Sequence, residues 1–358
     1  CKACEKFCPT GAVDFSQADQ DRDIPVGAVI LAPGFKAYDP TQYSAYHYAN
    51  YPNVITGMEF ERILAAAGPF QGHLVRPSDH KEPTKIAWLQ CVGSRDLNHC
   101  DNSYCSAVCC MYAINEAVIA KEHSHDPLDA AIFFMDMRTH GKEFEKYYWR
   151  AQDEQGIRFI RSRVHTVDPV PGTDDLAITY IREDGTINIE TFDLVVLSVG
   201  LETSPGALKL AGTLGIDINS DRFAQTSSFT PVTTSKPGIY VCGAFQGPKD
   251  IPQSVMEASA ASAAASELLA PVRFSLARKK PVFEERDVSQ EEPRIGVFVC
   301  HCGINIAGTV DVPAVRDYAS TLPHVTFVED TLFACSQDAQ GLIKDRIKEY
   351  NLNRVVVA

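Results

Sequence analysis

The stretch GIYVCGAFQGPKDIPQSVMEASAASAAA (238–265) governs how the chain reads. GIYVCG (238–243) is a short apolar run closed by glycine, the pattern of a buried strand running into a tight turn. The Ser/Ala-rich run after it predicts a helix from about Gln253 to Leu269. The same alternation continues on both sides. Upstream, VGAVILAPG (26–34) reads as an apolar strand ending in a Pro-Gly turn, Phe35 to Tyr51 as loop, and Gly57 to Ala67 as helix. Strand Lys85–Gln90, a polar cysteine-bearing loop, helix Ser106–Lys121, strand Ala130–Met135, helix Lys142–Gln155 and strand Ile157–Arg161 follow. Residues 176–199 predict a hairpin turning at Asp184-Gly185 and leading into the buried run DLVVLSVG. Pro271 to Arg294 is charged, proline-bearing and without apolar period, and reads as a linker. A second unit then begins: strand IGVFVC, a cysteine loop, helix Val312–Thr321, strand VTFVED, helix Asp338–Tyr350 and strand RVVVA. Alternating elements with buried apolar strands predict an α/β fold of parallel, doubly wound sheets.

Bulk composition narrows the function classes. The 358 residues are 45% hydrophobic and 22% charged, ordinary for a globular protein. A net charge of −13 argues against nucleic acid or an anionic membrane surface as partner. The longest apolar run, Phe192 to Val199, is strand-sized and far short of a membrane span. No secretory signal is present, so a cytoplasmic protein is expected. The chain opens on Cys1 inside a motif and stops at Ala358 on a strand-like run, so both ends read as cut.

The twelve cysteines fall in bunches, at 1, 4 and 8; at 91, 100, 105, 109 and 110; at 242; and at 300, 302 and 335. Bunched thiols in a long apolar chain suit metal clusters better than a disulfide framework. Cys1-Lys-Ala-Cys4-Glu-Lys-Phe-Cys8-Pro9 has the spacing of the latter part of the ferredoxin run C-x2-C-x2-C-x3-C-P. Cys1, Cys4 and Cys8 then stand for its second, third and fourth cysteines, and a [4Fe–4S] ligand is expected upstream. Cys91 ends a strand, while Cys105, Cys109 and Cys110 sit where a loop enters a helix. A helix start suits anionic thiolates, so these four could enclose one cubane cluster. By spacing alone, a zinc site or a redox dithiol at Cys109-Cys110 stays open. Cys100 reads as a bystander. Cys300, Cys302 and Cys335 make an incomplete third set, with its fourth ligand expected beyond Ala358, and Cys242 reads as a lone buried thiol.

Three strand ends together resemble flavoproteins of the disulfide-reductase type. VILAPGF (29–35) and FDLVVLSVGLETSP (192–205) resemble the two A-T-G crossings, and the 238–265 stretch resembles the last FAD motif. The resemblance implies a thioredoxin-reductase-like fold of two dinucleotide-type domains. It places Pro33, Gly34, Gly200, Gly243, Ala244, Lys249, Asp250 and Ile251 at flavin-facing positions. No G-x-G-x-x-G fingerprint stands upstream of Val26. The second nucleotide-type subdomain carries CVGSRD and the cysteine loop where its glycine loop would be, so no NAD(P) binding is expected.

More closely, QCVGSRD (90–96), YCSAVCCMYAI (104–114), GAFQGPKDIPQSV (243–255) and VFVCHCGINIAGTVDV (297–312) resemble the A subunit of heterodisulfide reductase. The last of these resembles the amino-terminal signature of that protein, so a tandem fusion is expected. The resulting division is a ferredoxin-type remnant at 1–20, an FAD domain at 21–270 with its cluster-bearing subdomain at about 84–198, a linker at 271–294, and a small α/β cluster-binding domain at 295–358. The resemblance implies that FAD and [4Fe–4S] clusters carry electrons to other subunits of a heterodisulfide-reductase-like complex. Ferredoxin or hydrogenase- and dehydrogenase-type proteins would be the donors. It further implies that Cys91, Cys105, Cys109 and Cys110 ligate a cluster beside the flavin, and that Cys300 or Cys302 acts with Cys335 in another. Asn115 stands where relatives often carry Lys near the flavin, which argues against flavin-based bifurcation by this copy. The flavoprotein component of a quinone-interacting membrane oxidoreductase shares the flavin and cysteine motifs. A zinc-bearing scaffold is the alternative outside redox chemistry.

Overall fold

A computed structural model of the protein describes residues 2–8, 11–278 and 284–358. Two compact units divide the chain, Cys1–Ser275 and Leu276–Ala358.

In chain order the first unit contains α1 (Ala3–Phe7), β1 (Val29–Leu31), β2 (Lys36–Ala37), β3 (Val54–Thr56), α2 (Gly57–Leu64), β4 (Lys85–Val92), α3 (Cys109–His123) and β5 (Asp129–Phe134). It continues with α4 (Phe144–Asp153), β6 (Arg158–Arg161), β7 (Val167–Pro169), β8 (Leu176–Ile181), β9 (Ile187–Phe192), β10 (Leu194–Val199), β11 (Leu201–Glu202), α5 (Pro205–Leu214), β12 (Ile239–Val241) and α6 (Ile251–Leu268). Five parallel strands form its main sheet in the order β3-β10-β4-β5-β6. Every residue of β10 is buried, as its unbroken apolar run predicts for a central parallel strand. One face of the sheet packs on α2 and α3 through Phe60, Trp88 and Ile114. The other face is covered by the antiparallel β7-β8-β9 meander and a tyrosine cluster of Tyr38, Tyr43 and Tyr46. A separate parallel pair, β1 and β12, packs on α6 through Tyr240, Cys242, Ala261 and Ala265. Small residues on α6 let the helix lie close to that pair.

The second unit contains β13 (Ile295–Cys300), α7 (Gly303–Ile306), α8 (Val312–Ser320), β14 (Val325–Thr331), α9 (Gln337–Glu349) and β15 (Arg354–Val357). Its three strands are parallel in the order β14-β13-β15. The α/β expectation therefore holds in both units.

Some boundaries differ from the sequence reading, each for a local reason. Helix α3 begins at Cys109 rather than Ser106, because Ala107 has φ of +62° and cannot continue a right-handed helix. Strand β4 runs on to Val92, and near its end it carries an extra residue. Leu89 pairs with Leu197 and Val92 with Val199, so three steps of β4 answer two of β10. Cys91 lies in this bulge with φ of +62°. Helix α5 is absent from the sequence reading, since two glycines dilute its ten residues. Its end signals are explicit: Ser204 accepts from the Ala207 N–H at 3.2 Å, Pro205 opens the first turn, and Gly215 closes it at φ of +67°.

The core between α3 and β4 contains one acid. Glu116 is 1% exposed and accepts a hydrogen bond from the Trp88 indole at 2.9 Å. Trp88 itself is packed edge-to-face on Phe60, with ring centroids 5.5 Å apart. Burial pushes the Glu116 carboxyl well above its ordinary value, and the nearby Glu61 adds to the shift while the indole N–H opposes it. Because the folded value is raised, the neutral acid's contribution to stability is complete below pH 4.5 and is lost as pH rises through the folded value. Glu116→Gln keeps an acceptor for the indole and cannot ionise. Relative to wild type, its urea-unfolding stability should gain about 1.4 kcal/mol per pH unit across that window. Equal stability differences at pH 4 and pH 8 would show that the acid is not perturbed.

Candidate functional site

The β1–β12 pairing puts the ends of two parallel strands side by side, with Leu31 opposite Val241. Beyond those ends the chain turns through Gly34 at φ of +74° and Gly243 at φ of +67°, and nothing stands where a Cβ would be at either. These turns open a cleft of about 470 Å³. Gly34, Gly243, Ala244, Lys249, Asp250 and Ile251 line it, together with Tyr112 and Glu116 from α3. A crevice beyond the carboxyl ends of parallel strands is where α/β folds bind dinucleotides. The start of α6 forms part of the wall, with Asp250 as its N-cap accepting from the Gln253 N–H at 2.9 Å. A long helix's N-terminus favours an anionic group such as pyrophosphate. Open glycine turns, apolar walls and this helix end fit a flavin dinucleotide.

Other residues expected at the flavin lie differently. Pro33 is exposed outside the cleft lining. Gly200 is buried beneath the cysteine loop, where a Cβ would come within 2.1 Å of Ser94 Oγ and 2.5 Å of Ser106 Oγ. Lys249 reaches the cleft, but its ammonium is turned inward. Its Nζ donates to Gly243 O at 2.7 Å, Gln246 Oε1 at 2.8 Å and Gly247 O at 2.8 Å, and lies 3.0 Å from Glu257. Glu257 also accepts from the Gly243 N–H at 3.0 Å, so this buried ion pair fixes the glycine turn. Asn115 accepts from Tyr147 Oη at 3.2 Å on the α4 side, and Glu116 is the neighbour that reaches the cleft. Sequence reasoning missed Tyr112 and Glu116. The available signal was a lone acid in the mostly apolar run CCMYAINEAVIA (109–120).

The second site is the cysteine centre. Cys91, Cys105, Cys109 and Cys110 line one small cavity with Ser94, Arg95, Ser106, Ala107, Asp136 and Arg138. Three positive φ values in five residues, at Cys91, Gly93 and Arg95, wind the CVGSR loop tightly. At Gly93 a Cβ would fall 2.1 Å from the Tyr38 ring, so only glycine fits. Ser94 and Ser106 join across the loop at 2.5 Å, and Ser106 Oγ accepts from the Leu201 N–H at 2.9 Å. No side chain caps α3 at Val108, and Cys109 and Cys110 open its first turn. Cys100 lies apart, its Sγ donating to Asp96 O at 3.0 Å.

Burial and neighbouring thiols disturb the ionisation of Cys91, Cys109 and Cys110. Burial, then Cys91, Cys110 and Cys105, push Cys109 well above its usual range. Burial with the charges of Cys91 and Cys105 pushes Cys110 up to about 11. Burial also raises Cys91. Four such thiolates can coexist only around a compensating positive centre. Among the described residues no three His, Cys, Asp or Glu converge tightly enough for a single metal ion. Four thiols lining one cavity suit a polynuclear iron–sulfur cluster. Helix α3 joins the two sites, with Cys109 on the cavity and Tyr112 on the cleft. Tyr112 Oη and Cys109 Sγ both donate to Val199 O, at 3.0 and 3.7 Å.

The remaining cysteines range from exposed to buried. Cys4 lies within α1 and is exposed; Cys8 follows it, its Sγ accepting from the Ala12 N–H at 3.3 Å. Cys1 falls outside the described residues. Cys242 is buried in the core under α6. In the second unit, Cys300 ends β13, Cys302 precedes α7 and Cys335 follows β14. Burial and the neighbouring Cys300 and Cys335 raise the Cys302 thiol.

The chain is similar in sequence to known proteins. The model of the pyridine nucleotide-disulphide oxidoreductase family matches residues 4–265. The A subunit of the H(2):CoB-CoM heterodisulfide,ferredoxin reductase of Methanothermobacter thermautotrophicus is 41% identical over 271 residues, covering 74% of this chain and 40% of that protein. The iron-sulfur A subunit of the CoB–CoM heterodisulfide reductase of Methanocaldococcus jannaschii is 40% identical over 292 residues, 80% of this chain and 44% of that protein. A protein of Archaeoglobus profundus, described as like the heterodisulfide reductase A subunit, is 38% identical over 323 residues, 83% of this chain and 44% of that protein. The chain thus spans less than half the length of these relatives. It belongs to the pyridine nucleotide-disulphide oxidoreductase family, which makes it an FAD-type oxidoreductase, and within that family it stands with the A subunits of heterodisulfide reductases.

Proposed function

We propose that this chain binds FAD in the cleft and a [4Fe–4S] cluster at Cys91, Cys105, Cys109 and Cys110, and serves as an electron-transfer segment of a heterodisulfide-reductase-like complex. The observation that carries this reading is the sharing of α3 and the Val199 carbonyl by the two sites. Bound FAD supplies conversion between two-electron and one-electron transfer, and thiolate-held clusters supply one-electron steps. The chain's own residues exclude water and hold the geometry. Gly34 and Gly243 keep the cleft open, Lys249 and Glu257 fix the second turn, and the α6 terminus receives the anionic end of the dinucleotide. Ser94, Ser106 and Gly200 hold the cysteine loop against the end of β10.

Cys1, Cys4 and Cys8 belong in this reading to a ferredoxin-type cluster, and Cys300 or Cys302 with Cys335 to another. The names of the relatives support other reductase subunits as partners and ferredoxin or hydrogenase-type proteins as donors. Among the described residues no helix is long and apolar enough to cross a membrane. The reading assigns the chain to the cytoplasm.

Anaerobic reconstitution with iron, sulfide and FAD should give a brown protein with flavin and iron–sulfur absorbance that bleaches with dithionite. A colourless, zinc-loaded product would support the scaffold alternative. Cys109→Ser should lower bound iron by about four per chain, and unchanged iron would move the cluster elsewhere. Gly243→Val places a branched side chain in the cleft at a left-handed backbone position, which alone costs roughly 1–2 kcal/mol. It should weaken FAD binding at least about tenfold by fluorescence titration. Rapid flavin reduction by NADPH in stopped flow would instead favour a Cys109-Cys110 dithiol reductase.

A further inference from the structure

Two arginines stand at the cysteine centre in a chain of net charge −13. Arg95 comes from the loop after β4 and Arg138 from the loop after β5, and both line the cavity. Arg95 stands within electrostatic reach of Cys91, and Arg138 of Cys105. The Arg138 backbone N–H also donates to Cys110 Sγ at 3.4 Å, and the Ala107 N–H to Cys105 Sγ at 3.4 Å. Asp136 lies between the two guanidiniums. It pairs with Arg95, and Arg138 Nε donates to its Oδ2 at 3.2 Å. This carboxylate fixes both cations without occupying all their donors, since each guanidinium carries five N–H bonds.

We propose that Arg95 and Arg138, braced by Asp136, form a cationic bracket that raises the reduction potential of the cluster held by Cys91, Cys105, Cys109 and Cys110. The inference rests on the cluster reading of this cavity. An electron added to the cluster from dithionite brings one negative charge and no proton. Two fixed guanidiniums beside the ligand sulfurs favour that added charge, whereas Asp136 opposes it less because it is already paired. The electron beside the flavin cleft is thereby held on the cluster until a partner removes it. Both arginines are positioning residues acting through the sulfurs.

The test is an anaerobic redox titration of the reconstituted full chain, following the cluster by electron paramagnetic resonance. Arg95→Met and Arg138→Met should each shift the reduced-to-oxidised ratio at a fixed potential about tenfold toward oxidised, a 59 mV more negative midpoint for a one-electron couple. Arg95→Lys and Arg138→Lys keep the charge and should recover at least half of that shift. Unshifted midpoints in both Met variants, with the cluster signal intact, overturn the bracket. Should the Met variants assemble no cluster, normal assembly in the Lys variants supports the charge requirement, and failure in the Lys variants as well overturns it in favour of a scaffold role. Survival of the signal in Cys109→Ser overturns the cluster assignment itself, and this inference with it.

Discussion

The extra residue near the end of β4 is the constraint on which the cysteine centre depends. A parallel strand in regular register would put alternate side chains on opposite faces of the sheet. With three steps of β4 answering two of β10, the alternation breaks and Cys91 turns at positive φ into the loop. Everything that follows must then fit a crowded strand end. Gly93 lies against the Tyr38 ring, and Gly200 lies against two serine hydroxyls, each with no room for a Cβ. The Ser94–Ser106 bond then ties the strand end to the loop that delivers Cys105 and the start of α3. One register shift thus recruits thiols from two separate stretches of chain.

Helix α3 has the harder task, because one face must satisfy two different environments. Its first turn supplies Cys109 and Cys110 to the four-thiol cavity, and its next turns supply Tyr112 and Glu116 to an apolar cleft and core. A solitary carboxylate in that core would cost several kcal/mol to bury. The helix instead keeps Glu116 neutral and gives it the Trp88 N–H. Val199 meets the same helix from the strand side and accepts from both Cys109 and Tyr112. Shifts of the cysteine end would therefore be felt at the cleft wall.

Much of this was legible in the sequence, and the remainder was hidden for identifiable reasons. Long apolar runs such as DLVVLSVG fixed the strands, and the clustering of Cys91, Cys105, Cys109 and Cys110 fixed which thiols meet. The phase of α3 was not legible. Asn115 and Glu116 are adjacent in sequence but about 100° apart around the helix, so only packing decides which of them reaches the cleft. Lys249 was legible as a cleft residue but not as a structural cation, since its acceptors are backbone carbonyls that no motif announces. Arg95 and Arg138 were equally hidden, because 43 positions separate them and only the parallel β4–β5 pairing brings their loops together.

Three of the candidate cysteine and cleft sites lie at the ends of parallel strands. The cleft lies past the ends of β1 and β12, the four-cysteine centre past β4 and β5, and Cys300 and Cys335 past β13 and β14. Parallel strands end on one edge, and the loops leaving that edge can converge without breaking ladder hydrogen bonds. What differs is the chemistry those loops carry. Glycine turns with a helix N-terminus leave space and backbone N–H groups, which suit a dinucleotide. Thiols with flanking guanidiniums fill that space with donors and countercharge, which suit a cluster. On the proposed reading, a cysteine loop standing where a nucleotide-type sheet would carry its glycine loop gives the same strand edge the donors for a fixed electron carrier.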